Sequence, residues 1–262
     1  MDMRKKEVSV LKITGEGKKT VNDQVVQESP LTIFLNDQEF VTLLCTPEKQ
    51  DFLTLGFLRS EGLIKGREDV LSLEVDEENG TVNVETREPG KLSEKLFGKR
   101  TITSGCGKGT IFYNVLDSLT GNPIKTEIYL DPETISRLMR DLQERADLFK
   151  DTGGVHSSAL GTKEGILFFC EDIGRHNAVD KLIGECIAKD ISLEDKLLIS
   201  SGRLSSEILL KAAKIGIPIL LSRAAPTALS VELGQKLGIT MVGFIRGKRM
   251  NVYSGEWRII ES

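Results

Sequence analysis

Four short apolar runs alternate with amphipathic segments in the second half of the chain, and this alternation strongly limits the possible folds. The runs occupy 165–170, 197–200, 217–221 and 239–244. Each has the length of a buried strand, and the segments between them carry apolar residues at helical spacing. Strands that alternate with helices favour a largely parallel sheet that is covered by helices on both faces.

The first half has a different pattern, dominated by strands. Paired apolar runs flank turn-forming residues and predict hairpins at 31–44 and 71–85. Between the hairpins, Thr46 followed by Pro47 predicts the N-cap of a helix, which should end at Gly62.

The change of pattern predicts two domains. The second half opens with a predicted helix that Asp131 caps and that continues to the glycines near 151–154. We therefore expect an α/β protein, α+β overall, with a smaller strand-rich domain over 1–125 and an α/β domain over 126–262.

The composition argues against several classes of protein. The chain has 262 residues and a formal net charge of −4, which gives no case for a nucleic-acid partner. No apolar run approaches the ~18 residues of a membrane span, and no signal-peptide core is present. Four unevenly spaced cysteines and two histidines match neither a disulfide framework nor a zinc pattern. We expect a cytoplasmic protein that binds neither nucleic acid nor membranes.

An arginine stands at or just beyond the end of each predicted strand of the second half. These residues are Arg175, Arg203, Arg223, and Arg246 with Arg249. Ligands of open α/β sheets bind beyond the carboxyl ends of the strands. Guanidinium groups bind phosphate through two parallel hydrogen bonds. The row predicts a site for an anionic, phosphorylated ligand, and the alternative is that these are ordinary arginines of surface loops.

The densest polar cluster of the chain lies at 171–178. Within it, His176 could act as a general base or donate to phosphate, and Asn177 could cap the following helix. His156 follows a pair of glycines and offers similar choices. For both histidines the alternative is structural, in a capping loop where the imidazole pairs with a neighbouring group.

Cys106 differs from the other three cysteines in its surroundings. Cys45, Cys170 and Cys186 lie in apolar segments, whereas Cys106 lies among three glycines and close to Lys108. Glycine disfavours regular structure, and nearby positive charge favours the reactive thiolate. The pattern predicts a loop that presents one reactive thiol, and a small residue in a tight turn is the alternative.

A series of motifs runs through the chain in a fixed order, from about 28 to 255. They are TPE at 46–48, LGFLRSEG at 55–62, TGGVHSSA at 152–159, EDIGRHNAVDK at 171–181, SGR at 201–203, SRAAPT at 222–227 and GFIRGKRMN at 243–251. Together they resemble the FdhD family, the sulfur-carrier proteins needed for formate dehydrogenase activity.

The resemblance implies a fold and a reaction. Such proteins take persulfide sulfur from a cysteine desulfurase and hand it to a molybdenum or tungsten cofactor, bis-molybdopterin guanine dinucleotide, before it enters formate dehydrogenase. The matching position for the persulfide is Cys106. The resemblance also implies a homodimer and a C-terminal domain similar in fold to cytidine deaminase. No zinc is expected, because the zinc signature of the deaminases is missing here.

The resemblance also implies a cofactor site. The family's cofactor-binding stretch corresponds to Phe244, Ile245, Arg246, Gly247, Lys248 and Arg249. We expect four residues near the strand ends to complete the site, namely Arg175, His176, Arg203 and Arg223. One departure concerns Gly109, which stands where many members carry a second cysteine. A single thiol would therefore carry the sulfur in this chain.

Three hypotheses follow. The first is a sulfurtransferase-type carrier in which Cys106 holds the persulfide. The second is a non-catalytic chaperone that binds the guanine dinucleotide cofactor for formate dehydrogenase, with a purely structural Cys106. The third is a hydrolase or deaminase that acts on a nucleotide through His156 or His176.

Overall fold

The computed structural model describes residues 2–87, 123–124 and 126–261. Cys106, Gly109 and the domain boundary predicted at 125 lie outside the described residues. The described strands are β1 (Lys5–Thr14), β2 (Gly17–Val26), β3 (Ser29–Leu35), β4 (Gln38–Cys45), β5 (Val70–Asp76), β6 (Thr81–Thr86), β7 (His156–Gly161), β8 (Ile166–Asp172), β9 (Leu197–Ser200), β10 (Ile219–Ser222), β11 (Thr240–Arg246) and β12 (Arg249–Ser254). The described α-helices are α1 (Gln50–Glu61), α2 (Pro132–Arg145), α3 (Asp147–Thr152), α4 (Arg175–Ala188), α5 (Ser206–Lys214) and α6 (Ala228–Leu237).

The first half forms a four-stranded sheet in the order β4-β3-β6-β5. Both predicted hairpins are confirmed, since β3 pairs antiparallel with β4 and β5 with β6. Asn36 and Asp37 turn the first hairpin with positive φ angles of 50° and 63°, as a type I′ turn requires. Helix α1 shares a core with this sheet, in which Leu31 and Leu53 are fully buried.

The chain begins with an element that the sequence analysis did not predict. β1 and β2 pair antiparallel as a separate two-stranded ribbon. None of the ribbon residues is buried. Because every ribbon residue stays at least partly exposed, no regular alternation of apolar and polar residues marks these strands in the sequence.

Helix α1 begins later than predicted. Its N-cap is Lys49, in the left-handed conformation, and no side chain caps the first turn. Thr46 is fully buried and donates its hydroxyl to Asp172 Oδ2 at 2.9 Å. The prediction of Thr46 as N-cap is therefore wrong, because a tertiary contact engages its hydroxyl. The predicted end at Gly62 is confirmed, with a φ of 79°.

The second half forms a six-stranded sheet in the order β12-β11-β10-β9-β7-β8. Strands β9, β10 and β11 are parallel, as predicted. The sheet is mixed, however, because β7 is antiparallel to both its neighbours and β12 is antiparallel to β11. This corrects the prediction of a largely parallel sheet. Because β7 lies antiparallel between β8 and β9, those two strands run the same way, and β8 to β11 all end at one edge.

Helices cover both faces of this sheet, as predicted. Helix α2 packs on one face, in a core with Leu138 and Ile199. Helices α4, α5 and α6 pack on the other face, in a core with Leu182, Leu209 and Leu233. None of the helices in the described ranges is both long and apolar enough to cross a membrane.

The helix predicted from Asp131 is in fact two helices. Asp131 caps α2 as predicted, accepting a first-turn backbone N–H at 2.8 Å. The chain then breaks at Ala146, and α3 follows. The carboxylate of Glu171, buried with a raised pKa, accepts from the backbone nitrogens of Leu148 and Phe149 at 2.9 and 3.0 Å. These bonds occupy N–H groups that a continuous helix would use internally, so Glu171 stabilises a second helix start.

Two glycines allow α1 and α4 to approach until their backbones touch. A Cβ added at Gly56 would lie 1.8 Å from the carbonyl oxygen of Asp180. One added at Gly184 would lie 1.9 Å from the carbonyl oxygen of Phe52. The first half is therefore packed directly on the second at this crossing.

Candidate anion-binding site at one edge of the second sheet

Four strands of the six-stranded sheet deliver an arginine to the same edge, as predicted. Arg175 follows β8, Arg203 follows β9, Arg223 follows β10 and Arg246 ends β11. Arg175 is half-buried and the other three are exposed. No carboxylate in the described parts of the chain forms an ion pair with any of these four. We call this row the arginine edge.

Three helices also begin at the arginine edge, and their N-termini add a second kind of positive charge to the site. Ser205 caps α5 and Thr227 caps α6, each accepting a backbone N–H. Helix α4 begins at Arg175 after the N-cap Gly174, and no side chain caps it, so the prediction that Asn177 caps this helix is wrong. A helix N-terminus carries partial positive charge. The helix ends therefore add to the attraction that the arginines exert on an anion.

His156 joins the site because β7 starts at the edge where its neighbours end. A Cβ at Gly202 would lie 3.3 Å from Arg175 Cβ and 3.5 Å from His156 Nδ1, so both side chains flank this glycine. Burial lowers the pKa of His156, and the charges of Arg175 and Arg203 lower it further. His156 is therefore neutral at pH 7 and can donate or accept a hydrogen bond. The antiparallel course of β7, which places it there, was not predicted.

A cleft of about 600 Å³ opens beside His156. One wall is largely apolar and comes from α2 and α3, with Met139 and Phe149 among its residues. The opposite wall is polar and includes Ser201 and Arg223. A cleft with one apolar wall and a few convergent polar groups suits a flat heterocycle that carries an anionic group.

Serine hydroxyls fix the loops that carry two of the arginines. Ser200 Oγ accepts from Gly202 N at 3.1 Å, one residue before Arg203. Ser222 Oγ donates to Gly202 O at 2.7 Å and accepts from Ala224 N at 2.9 Å. The loops after β9 and β10 are thus tied to each other.

His176 does not line the cleft. Its Nε2 lies 2.9 Å from Glu207 Oε2, between α4 and α5. Burial lowers the pKa of His176 to about 4, helped by the charges of Lys211 and Arg175. This placement, beside a carboxylate and away from the cleft, favours the structural alternative for His176.

The stretch 244–249 begins with two residues of opposite exposure. Phe244 is exposed and has a positive φ of 53°. Ile245 is 1% exposed and packs in the core that α2 shares with the sheet. The side chain of Ile245 is therefore occupied by the core, although sequence reasoning placed it in the site.

The rest of this stretch forms the turn from β11 to β12. Arg246 and Arg249 face each other across it, with Gly247 at a φ of 57° and the exposed Lys248 between them. Ser136 Oγ lies 2.8 Å from Gly247 O, so α2 contacts the turn. Three positive side chains are gathered at the end of β11 by this geometry.

The described cysteines are all buried and free. Burial raises the pKa of Cys45 to about 12, of Cys170 to about 11 and of Cys186 to about 12. Thiols in this state are poor nucleophiles. No group of three His, Cys, Asp or Glu side chains in the described ranges is placed to hold a metal ion.

Comparison with known proteins identifies the family. A model described as the FdhD/NarQ family matches residues 26–260. The chain belongs to the FdhD/NarQ family. It is 46% identical over 241 residues to the sulfur carrier protein FdhD of Bacillus subtilis (strain 168), which covers 92% of each chain. It is 45% identical to the protein of the same name from Geobacillus kaustophilus (strain HTA426), over 91% of this chain and 90% of the relative.

A solved structure confirms the mixed α/β fold of the FdhD/NarQ chain. It is a crystal structure from Desulfotalea psychrophila of a protein described as a candidate formate dehydrogenase accessory protein. The TM-score is 0.79 at 26% sequence identity, and the match covers 98% of this chain and 99% of the other. The resemblance stated from the sequence motifs is therefore confirmed.

Proposed function

We propose that this protein is a sulfur carrier that serves formate dehydrogenase. Family membership supports the proposal, as do relatives at 45–46% identity that bear the name sulfur carrier protein FdhD. In this proposal Cys106 accepts persulfide sulfur from a cysteine desulfurase. The sulfur then passes to bis-molybdopterin guanine dinucleotide, with molybdenum or tungsten as its metal.

The choice of Cys106 rests on the state of the other cysteines. Cys45, Cys170 and Cys186 are buried with raised pKa values, whereas attack on a persulfide needs a thiolate. The Cys106 thiolate would attack the outer sulfur of the desulfurase persulfide. The sulfur–sulfur bond breaks, the desulfurase cysteine leaves as a thiolate, and Cys106 holds the new persulfide.

The cofactor is the acceptor substrate in this proposal, and the arginine edge is where we place its dinucleotide. Arg203, Arg223 and the turn with Arg246 and Arg249 are exposed, which leaves their forks free for phosphate oxygens. The largely apolar wall of the cleft fits a guanine or pterin ring. Half-buried Arg175 and neutral His156 would add contacts with the dinucleotide. We propose no such contact for His176, because it lies against Glu207.

Further expectations belong to the same proposal. We place the boundary between two domains near residue 125 and expect the second domain to resemble cytidine deaminase. We also expect a homodimer that works in the cytoplasm with a desulfurase and a formate dehydrogenase as partners. A sedimentation measurement of the purified protein tests the dimer.

Mass spectrometry tests the sulfur-carrier step. After incubation with a cysteine desulfurase and cysteine, the intact protein should gain one sulfur atom. The Cys106→Ala variant should gain none, and it has an internal control because the three buried cysteines are still present. Equal sulfur addition to Cys106→Ala would contradict the assignment.

The second candidate function is a chaperone that only holds the cofactor. The arginine edge favours it, because it offers groups that bind an anion and no cysteine is among the described residues of the edge or the cleft. Cys106→Ser is the variant that separates the two functions. Full restoration of formate dehydrogenase activity in cells that lack the native protein would support the chaperone, and loss of activity supports the carrier.

A further inference from the structure

The loop that presents Arg175 is held by a single buried carboxylate. The loop runs from the end of β8 at Asp172 to the first turn of α4. Asp172 Oδ1 accepts from Gly174 N at 2.8 Å and from Asn177 Nδ2 at 2.9 Å. Asn177 Nδ2 also donates to the carbonyl oxygen of Leu44 at 2.8 Å. The loop is therefore bonded at both ends, and one of its bonds reaches β4 in the first half of the chain.

The second oxygen of this carboxylate is held by the first half as well. Asp172 Oδ2 accepts from Thr46 N at 3.1 Å and from Thr46 Oγ1 at 2.9 Å. Lys181 Nζ lies 2.7 Å from the same oxygen and donates to Thr46 Oγ1 at 2.7 Å. Thr46 and Asp172 are 0% exposed and Lys181 is 1% exposed. Because all three side chains are buried, these bonds fix the carboxylate in one place.

Arg175 is the residue whose placement depends on this carboxylate. It is the first residue of α4, directly after Gly174, and its Cβ and Cδ would lie 3.3 and 3.4 Å from a Cβ at Gly202. It is thus wedged against the loop that follows β9. A small shift of the Asp172 loop would move the guanidinium relative to its neighbours on the arginine edge.

We propose that Asp172 and Asn177 are positioning residues for Arg175, and that the first half of the chain sets the position of this one arginine through Thr46 and Leu44. The inference rests on the proposed function, because it takes Arg175 to bind an anionic group. Arg203 and Arg223 depend instead on the serines that end β9 and β10. Disturbing the Asp172 loop should therefore affect binding through Arg175 alone.

A double-mutant cycle on ligand affinity tests the inference. The probe is guanosine diphosphate, and calorimetry gives its affinity for each variant. Asn177→Ala removes two hydrogen bonds from the loop and should weaken binding about fivefold, the effect of roughly one hydrogen bond. In an Arg175→Ala background the same change should have no further effect. Equal weakening in both backgrounds, or none in either, would overturn the inference.

A matched pair at Thr46 extends the test to the first half of the chain. Thr46→Val keeps the shape but lacks the hydroxyl, and Thr46→Ser keeps the hydroxyl. We expect weaker binding in the valine variant and affinity close to the native protein in the serine variant. Urea unfolding checks that each variant is folded at the assay temperature. Equal affinities in the two variants would contradict a role for the hydroxyl.

Hydrogen exchange separates failure of this inference from failure of the proposed function. If the native protein binds no guanosine diphosphate, the proposed function fails at this edge. The positioning of Arg175 is then decided by backbone amide exchange in 174–177. Faster exchange in Asn177→Ala, confined to this segment, supports it, and unchanged exchange contradicts it.

Discussion

Two charged regions lie close together in this protein and differ in burial and pairing. One is the buried ion pair of Asp172 and Lys181, and the other is the exposed arginine edge. Asp172 and Lys181 are 0% and 1% exposed, and their charged atoms are 2.7 Å apart. Arg203, Arg223 and Arg246 are exposed, and no described carboxylate pairs with them. A buried charge is strongly destabilising unless it is paired, whereas water solvates an exposed guanidinium and leaves it available to a ligand. The buried pair therefore holds the loop that presents Arg175, and the arginine edge is available to bind an anion.

Removing one member of the buried pair should have the largest effect. Lys181→Met leaves Asp172 buried without its cation and should lower the free energy of unfolding by about 3–5 kcal/mol. Urea unfolding measures this change. Lys248→Met is the control, because Lys248 is exposed and should stay within about 0.5 kcal/mol of the native protein. Equal decreases in the free energy of unfolding of the two variants would show that the buried and the exposed lysine contribute alike, which contradicts the comparison.

Removing one exposed arginine should affect binding rather than stability. Arg246→Ala and Arg249→Ala should each weaken binding of guanosine diphosphate by about 1.5–3 kcal/mol, the range for a hydrogen bond to a charged group. Calorimetry measures the affinity, and urea unfolding should be unchanged. Lys12→Ala on the ribbon removes an exposed charge elsewhere and serves as control. Affinities equal to the control would show that the turn from β11 to β12 does not hold phosphate.

The close crossing of helices α1 and α4 can be disturbed without changing a charge. Gly184→Ala places a Cβ against the backbone of α1 and should lower the free energy of unfolding by about 1–3 kcal/mol. Gly165→Ala is the matched control, since nothing lies within 4 Å of a Cβ there. Thermal or urea unfolding that does not distinguish the two variants would argue against the close crossing of α1 and α4.

A pH dependence of stability should be the smallest effect. The pKa of His176 is about 4 in the folded protein, below the ordinary value of 6.5. Between these values the unfolded chain binds a proton that the folded protein does not, so stability is lost as the pH falls from 6.5 towards 4. His176→Gln should reduce the loss between pH 7 and pH 5 by about 1 kcal/mol. An identical loss in the variant would mean that His176 titrates normally.

The sequence predicted those features that follow from local patterns. The hairpins at 31–44 and 71–85, the cap Asp131 and the stop at Gly62 all depend on residues close in the chain. The shared edge of the arginines also followed, because it needed only the common direction of four strands.

Features that depend on distant residues were missed. Thr46 looks like a helix cap, but its hydroxyl is taken by Asp172, 126 residues away. The break at Ala146 depends on the carboxylate of Glu171, which no local pattern reveals. His156 came to the arginine edge only because β7 runs antiparallel. These errors share one cause, since each misjudged residue has its decisive partner in another part of the fold.

Transfer of radiolabelled sulfur tests the central claim most directly. The reaction would contain labelled cysteine, a desulfurase, this protein and a formate dehydrogenase with its cofactor. We predict that label reaches the formate dehydrogenase with the native protein. It should stay on the carrier when Arg246 and Arg249 are both replaced by alanine, and it should not enter the Cys106→Ala protein. Label that reaches the formate dehydrogenase equally with all three proteins would contradict the account.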